Sequence, residues 1–224
     1  WKVSYTKGNW KNILIDKNIE ISNPKNSFLA DPFIYSHKGK DYCFVEEFNY
    51  LNLKGSISLY EFKNNSAIKI GNVLKEKFHL SFPYLFEYEN KIFMVPESSE
   101  NRDIRLYEAT NFPLEWKLNK IIFNNVKAVD TMIFKKDNHW WLFTNIDPSD
   151  IGDNCSELFI YYSDNPINDS WISHKLNPVL VDSNIARNGG ILYDNNNILR
   201  IGQKQGFDKY GLGYSVNKII TLNP

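Results

Sequence analysis

Asp31-Pro-Phe-Ile-Tyr35 opens an apolar run that crosses a polar turn at Lys38-Gly-Lys-Asp41 and ends fifteen residues after its start, at Glu46. The arrangement returns as Phe82-Pro-Tyr-Leu-Phe86 to Glu97 across Glu89-Asn90, and as Asp130-Thr-Met-Ile-Phe134 to Asn145 across Asp137-Asn138. A fourth copy, read as one residue shorter, runs from Gly189-Gly-Ile-Leu-Tyr193 to Gln203 across Asp194-Asn-Asn-Asn197. Gly, Asn and Asp suit such turns because they tolerate left-handed backbone or hydrogen-bond to their own chain. Each copy is therefore predicted to be a β-hairpin.

Working outward, each hairpin leads to a third strand with an aromatic residue. These strands are Ser58-Leu-Tyr-Glu-Phe62, Arg105-Leu-Tyr-Glu-Ala109, Phe159-Ile-Tyr-Tyr-Ser163 and Leu212-Gly-Tyr-Ser-Val216, which align Tyr60, Tyr107, Tyr161 and Tyr214. Trp116 and Trp171 follow nine or ten residues later in two copies, where a fourth, outermost strand would begin. The copies start 51, 48 and 59 residues apart, close to the ~40–50 residues of a propeller blade. No 11-residue window carries apolar residues at helical spacing, whereas alternation and β-branched or aromatic residues dominate. The expected fold is all-β, a five-bladed β-propeller with four blades visible. Trp1-Lys-Val-Ser-Tyr5 and Trp10-Lys-Asn-Ile-Leu14 read as the outer half of a closing blade, supplied by residues 1–20, whose inner strands would follow Pro224. Pairing that last sheet would hide its edges. The expectation is one domain over residues 1–224, part of a longer protein.

Composition narrows the function classes. Twenty-six Lys and Arg balance twenty-six Asp and Glu, so no basic face is available for nucleic acid or an acidic membrane. With 42% apolar and 15% aromatic residues, the chain can fill a core without disulfide staples. Cys43 and Cys155 lack metal-ligand spacing and read as reduced, and four scattered histidines form no metal cluster. No metal or cofactor is expected. No apolar run reaches the roughly 18 residues of a membrane span, and no signal sequence opens the given residues. These features lean toward the cytoplasm without fixing a compartment.

Position in the repeat predicts position in space, because the inner strand of each propeller blade starts near the axis. Asp31, Phe82, Asp130 and Gly189 align at that start, so two copies present a carboxylate there. The second strand of each copy ends in Glu46, Glu97, Asn145 or Gln203, all able to accept hydrogen bonds from sugar hydroxyls. In Met94-Val-Pro-Glu97-Ser-Ser99 the proline ends the ladder and sets Glu97 at a loop mouth. Glu47, one residue out of step, is predicted to face away from Glu46. His79, Arg102 and Arg187 stand near strand starts, and the planar fork of Arg187 suits either a ligand anion or one of these acids. Each also has a plain structural reading: turn caps for the aspartates, strand-end solvation for the ring of acceptors, an ion pair for Arg187, and packing for His79.

Ala30-Asp-Pro-Phe33, Phe44-Val-Glu-Glu-Phe48, His79-Leu-Ser-Phe-Pro83, Val95-Pro-Glu-Ser-Ser99, Asn101-Arg-Asp-Ile-Arg-Leu-Tyr107 and Ala128-Val-Asp-Thr131 together resemble the N-terminal domain of glucosamine inositolphosphorylceramide transferases. Related domains occur in bacterial surface-polysaccharide proteins. That family is in turn similar to the five-bladed propellers of glycoside hydrolase family 43. The resemblance implies a general-base role for Asp31 and a modulating role for Asp130. It also implies an acidic Glu at the start of the fourth copy, where this chain reads Arg187-Asn-Gly-Gly190. Inverting hydrolysis requires both an acid and a base, so hydrolysis of that kind is expected to fail unless Glu97 or Glu46 supplies the proton.

Three functions follow as expectations. The first is a propeller that recognises or modifies a carbohydrate or glycolipid during its assembly, alongside a fused or partner transferase domain. Here Asp31, Asp130 and Glu97 form the reactive or binding centre, and Glu46, Arg187, Asn145, Gln203, His79 and Arg102 hold the sugar. The second is an inverting hydrolase with Asp31 as base and Glu97 as a relocated acid. The third is a protein-interaction propeller with no small ligand.

Overall fold

The computed structural model describes residues 1–12, 18–206 and 209–224. The chain divides into two compact units, Trp1–Pro83 with Thr110–Trp116, and Tyr84–Ala109 with Lys117–Pro224. Four antiparallel meanders account for most of the strands in them.

In the first unit, β1 (Val3–Tyr5) pairs with β2 (Ile19–Ile21). The strands β3 (Ser27–His37), β4 (Lys40–Asn49), β5 (Lys54–Lys63) and β6 (Ser66–Leu74) then form one sheet in chain order. Tyr42 through Glu46 of β4 are all buried, while β6 is largely exposed, the gradient expected when inner strands are covered on both faces and the outer strand meets water. Val3 and Ile21 join Leu29, Cys43, Val45 and Tyr60 in one apolar cluster, so the predicted half-blade at the N-terminus packs as a two-stranded piece. Its residues Ile13 and Leu14 lie outside the described residues. Phe112 fills the other end, with ring contacts to Tyr35, His37, Tyr42 and Phe44.

Most of the second sheet belongs to the second unit: β7 (Ser81–Tyr88), β8 (Lys91–Ser98), β9 (Asp103–Asn111) and β10 (Glu115–Asn124), again in chain order. The third sheet comprises β11 (Ala128–Lys136), β12 (His139–Ile146) and β13 (Glu157–Ser163). Two short strands, β14 (Ile172–Ser173) and β15 (Leu180–Val181), share the outer side of β13. The fourth has β16 (Arg187–Asp194), β17 (Asn197–Lys204) and β18 (Gly213–Lys218). In this unit β11 packs on both β8 and β16, and Phe86 meets Phe93 and Trp140. Apart from two three-residue turns of 3-10 helix, Trp10–Asn12 and Ser99–Asn101, no helix is present among the described residues. None is long and apolar enough to cross a membrane.

The repeat has a backbone signature at its start. Partners Ala30–Glu46 and Phe33–Phe44 leave Asp31 and Pro32 opposite the single residue Val45. Partners Val129–Asn145 and Met132–Phe143 leave Asp130 and Thr131 opposite Thr144. These are β-bulges, which bend a strand and re-aim a side chain. Asp31, Phe82 and Asp130 have φ of 46°, 44° and 52°, a left-handed conformation that costs non-glycine residues and persists only where the surroundings enforce it.

Two alignments change on this evidence. In the fourth sheet Arg187 pairs with Gln203 and Asn188 with Gly202, with the bulge at Gly189. The pair Arg187–Gln203 thus matches Ala30–Glu46 and Val129–Asn145, so Asn188 rather than Gly189 stands level with Asp31 and Asp130. Asn188 lies fifteen residues before Gln203, the interval of the other copies; the paired glycines had hidden it. In the third strands, Tyr60, Tyr107 and Tyr161 face Cys43, Met94 and Leu142. The corresponding pair in the fourth sheet is Arg200–Asn217, whereas Tyr214 faces Gln203 and is 70% exposed. Hairpin length sets register, and the connection 205–212 delivers β18 later than an aromatic match suggests.

Tyr107 is 2% exposed. Tyr107→Ala is expected to destabilise the fold by about 3–5 kcal/mol, the range for deleting a buried aromatic, as read by urea unfolding; a loss below about 1 kcal/mol would place its ring outside the core.

Candidate functional site

In the second unit the starts of β11 and β16 and the end of β17 meet at Asp130. Its residue is 1% exposed, and a buried carboxylate needs a charged or hydrogen-bonding partner. Oδ2 accepts from Arg187 Nε at 2.6 Å and from Gln203 Nε2 at 2.9 Å. The bulge makes this possible by turning Asp130 toward the start of β16. Arg187 continues outward: Nη1 donates to Cys155 Sγ at 3.5 Å, and the guanidinium stacks on the Tyr210 ring, 5.1 Å from its centre. Burial opposes the Arg187 charge, but Asp130 first, then Tyr210 and Glu97, outweigh it and hold the pKa above the usual arginine value. Glu97 thus acts on the same cation.

A lattice of amides fixes these groups. Asn188, fully buried, donates from Nδ2 to the Asp130 carbonyl at 2.9 Å and accepts from Arg200 Nε at 2.8 Å. Its backbone N–H donates to Asn145 Oδ1 at 2.9 Å, while Asn145 Nδ2 donates to the carbonyls of Glu157 and Ala186, each at 2.9 Å. Gln203 Nε2 also donates to the Asn188 carbonyl at 2.6 Å. Asn145 therefore ties β12 to β13 and to the start of β16.

The first unit has its own polar group. Asp31 Oδ2 accepts from the Phe82 N–H at 3.2 Å. Glu46 is 7% exposed, and His79 Nε2 lies 3.4 Å from its Oε1. His79 Nδ1 accepts from the Gly55 N–H at 3.0 Å, which assigns the ring proton to Nε2, toward Glu46. Both ring nitrogens are therefore engaged. Gly55 is required there, since a Cβ would lie 2.4 Å from the Leu80 carbonyl and 2.9 Å from Glu46 Oε1. Glu47 faces away, as expected, and accepts from Ser58 Oγ and Lys69 Nζ, each at 2.5 Å.

Of the residues singled out in sequence, the structure gathers Asp130, Arg187, Gln203 and Asn145 into one network, with Glu97 acting on it electrostatically. It groups Glu46 with His79. Arg102 stands apart on an exposed left-handed turn with φ of 55°, where its Nη1 lies 3.6 Å from Asp150. Sequence reasoning missed Asn188, Arg200 and Tyr210; the fifteen-residue interval pointed to Asn188.

Comparison with known proteins adds the family. A family model described as glucosamine inositolphosphorylceramide transferase 1, N-terminal, matches residues 12–224. The chain belongs to this family. It is 36% identical over 204 residues to glucosamine inositolphosphorylceramide transferase 1 of Arabidopsis thaliana, covering 88% of this chain and 26% of the relative. It is likewise 36% identical over 172 residues to the Oryza sativa subsp. japonica protein, covering 75% and 23%. The chain thus spans about a quarter of the length of these relatives.

Solved structures supply the fold. A thermostable family-43 glycoside hydrolase matches with a TM-score of 0.63 at 15% identity, covering 85% of this chain and 70% of that one. A family-43 β-1,3-galactosidase matches at 0.68 and 12%, covering 85% and 42%. An exo-β-1,3-galactanase from Clostridium thermocellum matches at 0.67 and 12%, covering 88% and 48%. The four sheets are accordingly blades of a β-propeller.

Asn145→Ala would remove the partner of the Asn188 N–H and the side-chain donor to the Glu157 carbonyl, while the Ala186 carbonyl keeps Arg200 Nη2. At about 1–3 kcal/mol for each buried group left unpaired, the expected loss is about 2 kcal/mol or more by denaturant unfolding. A loss under about 1 kcal/mol would mean that the amide lattice does not hold the site.

Proposed function

We propose that this propeller recognises a carbohydrate in the assembly of a glycan or glycolipid, and that the Asp130 network forms part of the sugar site. The observation that carries the reading is the pairing at the start of the fourth sheet. Asn188 stands level with Asp31 and Asp130, and Arg187 beside it is committed to the Asp130 carboxylate. The resemblance to family 43 implies a proton-donating Glu in that region; an amide and a guanidinium cannot fill that role near neutral pH. What remains is a rigid set of acceptors and donors, suited to orienting hydroxyl groups rather than to protonating a leaving group.

Other features support the same reading. The family's name joins this domain to a transferase of a glycolipid, so the sugar is expected on such a lipid or on a related polysaccharide, with transfer carried by another domain. Asp31, left-handed in its bulge like Asp130, is proposed as a sugar-contacting carboxylate of the first unit, and Glu97, whose charge acts on Arg187, as a further acceptor for a hydroxyl group. We further infer a fifth blade that completes the ring beside β1 and β2.

The test pairs binding with turnover. Ligand-observed NMR with galactose, arabinose, glucosamine and glucuronic acid is expected to detect at least one of them, with no nitrophenol released from the matching nitrophenyl glycosides. Asp31→Asn is expected to weaken that binding more than tenfold with little loss of stability. Steady nitrophenol release would favour a hydrolase, and unchanged binding in Asp31→Asn would remove Asp31 from the site.

A further inference from the structure

The first unit holds a cavity of about 230 Å³ at the turn that joins β4 to β5. Strand alternation turns Glu47 away from Glu46 and sets it opposite Ser56 of β5, while Asn72 of β6 pairs beside them with Ser58. Asn52 from the turn and Lys75 from the segment after β6 close the space. Apart from Gly55, every lining residue is polar or charged, and no aliphatic or aromatic side chain takes part. The volume lies below the ~300–1,000 Å³ of drug-sized sites, so the occupant is small.

Several of these groups are only half used. The Glu47 side chain is 14% exposed, and its Oε2 accepts from Ser58 Oγ and Lys69 Nζ, each at 2.5 Å. Its Oε1 has no partner among the described residues. Asn72 Nδ2 donates to Ser56 Oγ at 2.5 Å, which leaves the Asn72 Oδ1 acceptor and the Ser56 hydroxyl proton unused. Asn52 Oδ1 accepts from the Lys54 N–H at 3.1 Å, which leaves Asn52 Nδ2. Lys54 Nζ is committed to the Lys77 carbonyl, whereas the exposed Lys75 has neither a hydrogen bond nor an ion pair among the described residues.

The unused groups are of two kinds. A carboxylate oxygen and an amide oxygen accept, while an ammonium, an amide NH₂ and a hydroxyl donate. An apolar ligand would find no apolar wall, a plain cation would meet Lys75, and a plain anion would meet Glu47. Hydrogen bonds that carry a charge are roughly twice as strong as neutral ones, so a ligand bearing both charges gains more here than a neutral polyol. We propose that this cavity binds a small polar α-amino acid as its zwitterion. The ammonium sits on Glu47 Oε1 and Asn72 Oδ1, and the carboxylate on Lys75, Asn52 Nδ2 and the Ser56 hydroxyl. The proposal does not rest on the carbohydrate reading, since neither Asp31 nor Glu46 lines the cavity.

An NMR shift titration of the isotope-labelled chain with glycine, serine and asparagine tests it. Glycolate, ethanolamine and glycerol serve as controls that lack the ammonium, the carboxylate or both, and leucine as one with an apolar side chain. The Gly55 and Ser56 amide signals are expected to move saturably with the three amino acids, and every control to bind at least tenfold more weakly than serine. Lys75→Met is expected to weaken serine binding at least tenfold and Asn72→Ala several-fold, with the melting temperature unchanged, while Lys75→Arg keeps most of the affinity. Serine binding that matches glycerol would make the cavity an open crevice for any hydroxyl compound, and a match to glycolate or ethanolamine would reduce it to a single-charge contact. Either result, no saturable shift with any amino acid, or binding indifferent to both Lys75→Met and Asn72→Ala would overturn the proposal.

Discussion

A carboxylate that the fold buries must be held by something, and at Asp130 that something reaches across two sheets. Arg187 Nε and Gln203 Nε2 both donate to one oxygen, so the start of β11 cannot move without disturbing the start of β16 and the end of β17. Replacing such a pair by apolar residues is often neutral for stability, whereas removing one partner is expensive. Its value here lies in position. The pair fixes where a carboxylate, a guanidinium and an amide face the same space.

The left-handed bulges are the backbone counterpart of that constraint. Non-glycine residues adopt φ near +50° only when neighbouring structure over-determines them. Asp31 is held by the Phe82 N–H, and the Asp130 carbonyl by Asn188. In these two sheets the conformation at the first strand is thus tied to groups beyond its own hairpin. The fourth sheet departs from this pattern, with an asparagine at the level of the aspartates and the bulge at Gly189. On the proposed reading, that departure sets this domain apart from a hydrolase of similar fold.

Much of this was legible in the sequence because it is periodic. The fifteen-residue hairpins, the turn residues and the buried Tyr60 and Tyr107 follow from local rules of alternation and turn chemistry. Asp130, Arg187, Asn145 and Gln203 were found because equal repeat positions converge. Register was harder: Tyr214 matched its copies by residue type and Gly189 by the apolar run that follows it, while hydrogen-bond pairing put Asn217 and Asn188 in those places. Arg200 lay beyond reach for another reason. A basic residue in an apolar strand gives no local sign of being buried against the carbonyls of Ile185 and Ala186, which are supplied by a loop before the preceding strand.

The central claim is that Asp130 and Arg187 act as one unit, and a double-mutant cycle measures it directly. Unfolding free energies of the native chain, Asp130→Asn, Arg187→Met and the double variant give the coupling between the two side chains. The account predicts a favourable coupling of about 2 kcal/mol or more, toward the upper part of the range for residues in one buried network. A coupling within about 0.3 kcal/mol of zero would contradict it, and would leave Arg187 a neighbour of the carboxylate rather than its anchor.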